Sequence, residues 1–149
     1  MANYFLDTSA LAKHYFLEAG TADVENLLQE PNSIYYVSRL TTVEIYSVFA
    51  LKVRTHEITL QDLVNIQKLI ATDFNTRRFP VIRMTQSHFE EAGRLIKDHA
   101  ATKSLRTLDS LQLAVALELR NQGKLDFFVC ADLKLCNVAK DEGLSVITP

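Results

Sequence analysis

Two hydrophobic rhythms alternate along the chain. Short runs that are apolar at consecutive positions fall at about Asn3–Leu6, Ile34–Val37, Val81–Arg83, Phe127–Cys130 and Ser145–Ile147. They read as β-strands covered on both faces, since a half-exposed strand would alternate apolar with polar residues. Between them lie longer stretches whose apolar residues recur every three or four positions. These read as helices over about Ser9–Phe16, Thr21–Gln29, Thr41–Arg54, Thr59–Thr76, Gln86–Ala100, Thr107–Asn121 and Leu133–Glu142. Local signals support the boundaries. Thr59 and Asp62 stand in capping-box positions, and Gly123 and Gly143 follow helix ends, where C-terminal caps belong. The helices between Val37 and Val81 read as a hairpin turned at Arg54–Glu57. Strands alternating with helices predict an α/β fold with a mainly parallel sheet. Such a sheet places its site beyond the carboxyl ends of its strands, at the switch in strand order.

Composition narrows the class. The chain has 149 residues, 48% hydrophobic and 23% charged, which suits one soluble domain spanning residues 1–149. No apolar run approaches the roughly eighteen residues of a membrane span. The N-terminus enters a strand at once, so no signal peptide is expected, and a cytoplasmic setting follows. The two cysteines, Cys130 and Cys136, lie in apolar surroundings and are expected as buried thiols in a reducing compartment. The histidines His14, His56, His88 and His99 are scattered without zinc spacing and read as surface helix residues. Net charge is −2, which is not the basic footprint of a tight nucleic-acid binder. If four carboxylates were gathered around metal, the remainder would carry only +2.

Four acids open four helices: Asp7, Glu44, Asp109 and Asp132. Each has an ordinary explanation. Asp7 and Asp132 follow strands and precede helices, where Asp is a favoured N-cap. Glu44 lies three residues after Thr41, as in a capping box. Asp109 falls in a first helical turn, where the helix dipole favours a negative charge. As a set they point further. Helix N-termini entering one rim of a parallel sheet would aim all four at one cleft, where bare carboxylates repel and take up protons. A divalent cation relieves that repulsion, and an all-oxygen ligand set suits Mg²⁺ or Mn²⁺ better than zinc. Such a cation can bind a phosphate oxygen and activate water. Ser9, Ser47 and Ser110 lie near these acids in sequence, but none has an evident His partner for a triad.

With these motifs in place, the chain resembles the PIN-domain ribonucleases, in particular the VapC-type toxins of toxin–antitoxin pairs. Tyr4-Phe5-Leu6-Asp7-Thr8-Ser9-Ala10-Leu11 is similar to the family's opening strand and first acid. Thr41-Thr42-Val43-Glu44 is similar to the second acidic motif, Leu105 through Ala114 with Asp109 to the third, and Phe128 through Leu135 with Asp132 to the fourth. Glu142 through Pro149 matches a common ending. The order, spacing and total length carry the likeness, which covers nearly the whole chain. It implies a PIN-like three-layer fold with a five-stranded parallel sheet, order 3-2-1-4-5, flanked by about seven helices. It implies Mg²⁺ (or Mn²⁺) held by Asp7, Glu44, Asp109 and Asp132, and hydrolysis of single-stranded or structured RNA by metal-activated water. A cognate antitoxin and a homodimer follow from the same likeness. There are two departures. Cys130 stands where the family often has Thr or Ser, and Gln112 stands where related chains often carry His.

Thr8 and Ser9, at a helix N-terminus, and Arg39 and Arg106, just before helices that carry acids, are candidates for RNA contact. Lys13, Lys103 and Lys134 read rather as solvated surface charges. Competing functions keep less of the sequence. Aspartyl-phosphate phosphotransferases need a second Asp where Ser9 stands, and a receiver domain needs an acidic pair after its first strand. A non-catalytic RNA-binding PIN module would not need all four acids, whereas a stand-alone RNA-processing PIN nuclease would.

Overall fold

A computed structural model describes residues Met1–Pro149. Its elements run β1 (Asn3–Leu6), α1 (Thr8–Tyr15), α2 (Thr21–Leu28), β2 (Ile34–Ser38), α3 (Thr41–Arg54), α4 (Leu60–Asn75) and β3 (Val81–Ile82). Then follow α5 (Gln86–His99), α6 (Thr107–Asn121), β4 (Phe127–Val129), α7 (Leu133–Asp141) and β5 (Val146–Ile147). The strands form one parallel sheet in the order β3-β2-β1-β4-β5. The PIN-like fold, its five strands and its seven helices are thus as the likeness implied.

Strand alternation divides the core in two. Tyr4 and Leu6 of β1, with Val37 and Val129, face α1, α3 and α4, where Leu11, Ile45, Phe49, Ile66 and Ile70 close one apolar layer. Phe5 and Phe128 face the other way, onto α5, α6 and α7, packing with Leu95, Leu113, Val115, Leu135 and Val138. Both sheet faces are therefore covered, which is why the strands are apolar at successive positions. Helix α6 is the most enclosed: every residue from Ser110 to Leu117 is buried. That burial carries Gln112 into the interior.

The chain crosses to opposite sides of β1 to build β2 and β4, so the switch point lies between β1 and β4. Asp7 and Cys130 follow those two strands at their carboxyl ends. The Asp7 amide donates to the Val129 carbonyl at 2.9 Å, extending the ladder to the rim.

Two placements depart from the sequence reading. His88 is buried, not a surface helix residue. It is the third residue of α5, and its Nδ1 accepts from the Thr85 amide at 3.0 Å in a capping box, while Nε2 bonds Glu118. His56 lies in the turn between α3 and α4 with φ of 61°, outside any helix. Both cysteines are buried and free.

Candidate active site

Asp7 is held from both sides of the switch point. It caps α1, accepting from the Ser9 amide at 3.1 Å and the Ser9 hydroxyl at 2.6 Å, both on Oδ2. The same hydroxyl accepts from the Ala131 amide at 3.1 Å, tying the start of α1 to the end of β4. Asp7 is buried and has no cationic partner. Burial lifts its pKa from 3.8 to about 6; Asp109 and Glu44 push the same way, and the Ser9 hydrogen bonds oppose them.

Glu44 is not part of a capping box. The residue before α3 is Leu40, already helical and without a side-chain cap. The Glu44 carboxylate instead joins a buried polar network. Its Oε1 accepts from the Thr8 hydroxyl at 2.9 Å and from Gln112 Nε2 at 2.7 Å. Gln112 Nε2 also lies 3.0 Å from the Thr8 hydroxyl and 2.8 Å from that of Thr41, and Gln112 Oε1 accepts from Ser38 at 2.7 Å. Every buried polar side-chain atom has a partner, as a low-dielectric interior demands. One oxygen of Glu44 is thereby committed to the protein.

Asp109 sits in the first turn of α6 and Asp132 caps α7, accepting from the Lys134 amide at 2.9 Å and the Leu135 amide at 3.4 Å. Arg106 stands between them. Its Nε donates to Asp109 at 2.9 Å and its Nη2 to Asp132 at 3.4 Å. The Asp109 hydrogen bond, above all, holds the guanidinium's pKa above its ordinary value. Cys130, in the place where a hydroxyl was expected, donates weakly to the Asp132 carbonyl at 3.3 Å and lies 3.9 Å from Asp7 Oδ2.

All four acids line one cavity of about 420 Å³, together with Thr8, Ser9, Ser47, Val48, Leu51, Arg54, Arg106 and Leu108. The Thr8 and Ser9 hydroxyls are engaged by the protein, on Glu44 and Asp7. Arg39 is not brought to this lining; it borders a separate depression with Val81, Arg83 and Met84. Arg54 is on the lining although the sequence reading passed it over. Its signal was there: Glu44, Ser47, Leu51 and Arg54 recur at helical spacing on one face of α3.

The donor set fits a hard divalent cation. It is all oxygen, it includes a buried carboxylate with no counter-charge, and the cavity has room for water. As placed, no three of these side chains stand close enough together to grip an ion, and Arg106 spans two of them. Asp7, Glu44, Asp109 and Asp132 are the side chains that would hold such an ion, and Arg106 pairs with two of them.

A parallel sheet in the order β3-β2-β1-β4-β5, with four acids lining one cavity at its switch point, defines a PIN-like scaffold. The PIN-domain family model matches residues 4–141, and the chain belongs to that family. By sequence it matches no curated protein. Among solved structures it is similar to VapC20 of Mycobacterium tuberculosis, described as a toxin cleaving the sarcin–ricin loop, with 18% identity and TM-score 0.69 over 98% of this chain and 99% of that one. It is similar to FitAcB from Neisseria gonorrhoeae, with 16% identity and TM-score 0.68 over 98% and 97%. VapBC2 from Rickettsia felis, bound to promoter DNA, gives 16% identity and TM-score 0.63 over 98% of each chain.

Proposed function

We propose that this chain is a Mg²⁺- or Mn²⁺-dependent endoribonuclease acting as the toxin of a toxin–antitoxin pair in the cytoplasm. One observation carries the catalytic half of the reading: Asp7, Glu44, Asp109 and Asp132 face a single open cavity at the switch point of a PIN-domain sheet. A divalent cation bound there supplies phosphate charge neutralisation and a water that loses its proton near neutral pH. The protein's part is to hold its ligands ready. Ser9 fixes one oxygen of Asp7, and Thr8 with Gln112 fixes one oxygen of Glu44, leaving the second oxygen of each for a ligand. Arg106, largely exposed, is free to turn from the carboxylates to a substrate phosphate once they hold a cation.

The toxin half rests on similarity to VapC20, FitAcB and VapBC2. In that reading an antitoxin segment covers the cleft, and the apolar side chains left exposed on the α3–α4 hairpin, among them Leu60, Val64 and Leu69, serve a homodimer. Co-purification with the product of the adjoining gene tests the first claim. Light scattering at micromolar concentration tests the second, and a monomer there counts against it.

The deciding assay is cleavage of a labelled RNA by wild type and Asp109→Asn, matched for folding by circular dichroism. Cleavage that requires Mg²⁺ or Mn²⁺ and is lost in the variant is expected. Equal rates for the two, or full activity in EDTA, would show that the four acids do not form a catalytic metal site.

A further inference from the structure

A second cavity, of about 500 Å³, opens beside the carboxylate cleft, lined by Lys103, Ser104, Lys134, Asn137, Lys140 and Asp141. We infer that this groove binds the phosphate backbone of a single RNA strand running out of the cleft, with Lys134 and Lys140 as its phosphate contacts. The inference relies on the nuclease reading for the direction of the strand.

The two cavities have no lining residue in common but are joined at two places along the chain. Lys103 and Ser104 lead directly into Arg106, which reaches Asp109 and Asp132 in the cleft. On the other side the Lys134 amide donates to Asp132 itself. A strand whose scissile phosphate lies among the carboxylates can leave over the Arg106 and Asp132 side, toward this groove.

Charge and shape select the occupant. Lys103 is paired with Asp141, so its ammonium is already neutralised. Lys134 and Lys140 are exposed and take part in no ion pair, leaving two uncompensated positive charges on a chain of net charge −2. Attraction of a polyanion must therefore come from this local field, not from the protein as a whole. None of the six lining residues is hydrophobic. A docked protein segment would need apolar or aromatic anchors, which the groove does not offer. Lysines with a Ser and an Asn suit phosphate and sugar oxygens.

Spacing agrees. Lys134, Asn137 and Lys140 follow one another along one face of α7, opposite the buried Leu135, Val138 and Ala139. Six residues of helix rise about 9 Å. That is the length of two to three stacked nucleotides at about 3.4 Å each, enough for each lysine to meet a different phosphate.

The test is fluorescence anisotropy of a labelled single-stranded RNA in EDTA across a salt series. It compares wild type, K134Q/K140Q and the control K68Q/K124Q, which removes the same charge at exposed positions outside the groove. The groove variant should bind at least about tenfold more weakly at low salt, with the slope of log affinity against log salt shallower by about 1.4, or about 0.7 per lost phosphate contact. The control should change little. Equal losses in the two variants, an unchanged groove variant, or no detectable wild-type binding at low salt would overturn the inference. So would a groove variant that loses binding of a poly-glutamate peptide but keeps that of RNA, since the site would then be a peptide dock. Cleavage with Mn²⁺ is read in parallel. Lysine-dependent binding without any cleavage would overturn the nuclease reading and leave the groove. Metal-dependent cleavage with lysine-independent binding would do the reverse.

Discussion

Asp7 is the residue on which burial and charge conflict most directly. Its carboxyl is enclosed, faces Glu44 and Asp109, and has a pKa raised from 3.8 to about 6. Below the ordinary value, folded and unfolded chains both hold the proton, and Asp7 contributes no pH dependence. As pH rises from about 4 to about 6 the unfolded chain releases the proton first, so stability falls through that window and the loss is complete above it. Two units of displacement correspond to about 3 kcal/mol. Asp7→Asn keeps the shape and an oxygen for the Ser9 amide but has no charge to desolvate. In EDTA, thermal melts should show wild type losing stability across this window relative to the variant, and the variant melting higher at neutral pH while cleaving no RNA. A variant that melts lower at neutral pH would refute this account. Gln112 presents the opposite case, a buried group whose value lies in being satisfied. Gln112→Leu leaves the buried Ser38 hydroxyl without its acceptor and the Glu44 carboxylate without its Gln112 donor, while Thr41 keeps its Thr8 partner. Each stranded group costs about 1–3 kcal/mol, so the melting temperature should drop clearly in denaturation scans. The acids themselves were legible as residues at helix starts. The Gln112–Glu44 contact was not, because it joins positions 68 apart on helices that pack on opposite faces of the sheet and meet only near their N-termini, at its rim. Arg54 is legible only by its spacing from Glu44 along one face of α3, since it lies at the far end of that helix from the acid.

At the level of elements, periodicity located every strand and helix, and most differences are single residues at their ends. Strand β2 runs on to Ser38, whose neighbour Arg39 donates to the Ile82 carbonyl, while β3 and β5 shrink to two residues each. Short edge strands lose their ends first, having one neighbour to pair with. Strand order was not legible from periodicity at all; buried parallel strands look alike in sequence, and the order came with the family likeness. His88 was misplaced because the helix pattern marked it only as polar. Its role in capping α5 depends on Thr85 three residues earlier, the same arrangement that Thr59 and Asp62 make at α4. The α4 box is fully formed, with the Thr59 hydroxyl accepting from the Asp62 amide at 3.1 Å and the Asp62 carboxylate accepting from the Thr59 amide at 2.8 Å. Thr59→Ala removes half of it and should cost about 1 kcal/mol, a fall of roughly 2–4 °C for a chain of this size. Because Thr59 lines the hairpin turn and not the carboxylate cleft, RNA cleavage below the melting transition should be unchanged. A large loss of cleavage at full folding would mean that the hairpin's position is coupled to the site.

For the whole molecule the decisive quantity is how its charges are distributed. A net charge of −2 conceals four carboxylates converging on one cavity, and in the metal-free protein Arg106 is the cation that spans two of them. Repulsion stored there opposes folding, and anything that binds only the folded cleft and neutralises it stabilises the whole chain. A divalent ion at about 100 times its dissociation constant adds roughly 2.7 kcal/mol by mass action. Mn²⁺ should therefore raise the melting temperature by roughly 5–10 °C, with no RNA present and no catalysis involved. EDTA should return the chain to its metal-free melting point without unfolding it, since both apolar layers are complete without the ion. Asp7→Asn and Asp109→Asn should each lose most of the shift. Arg106→Gln separates ligand binding from general charge effects. Removing this exposed cation takes from Asp109 and Asp132 the partner they share, so this variant should melt slightly lower than wild type without metal and gain more than wild type when Mn²⁺ is added. A shift in wild type that survives Asp109→Asn would place the ion elsewhere on the molecule. An Arg106→Gln variant that gains less than wild type would show that the guanidinium assists the ion instead of standing in for it.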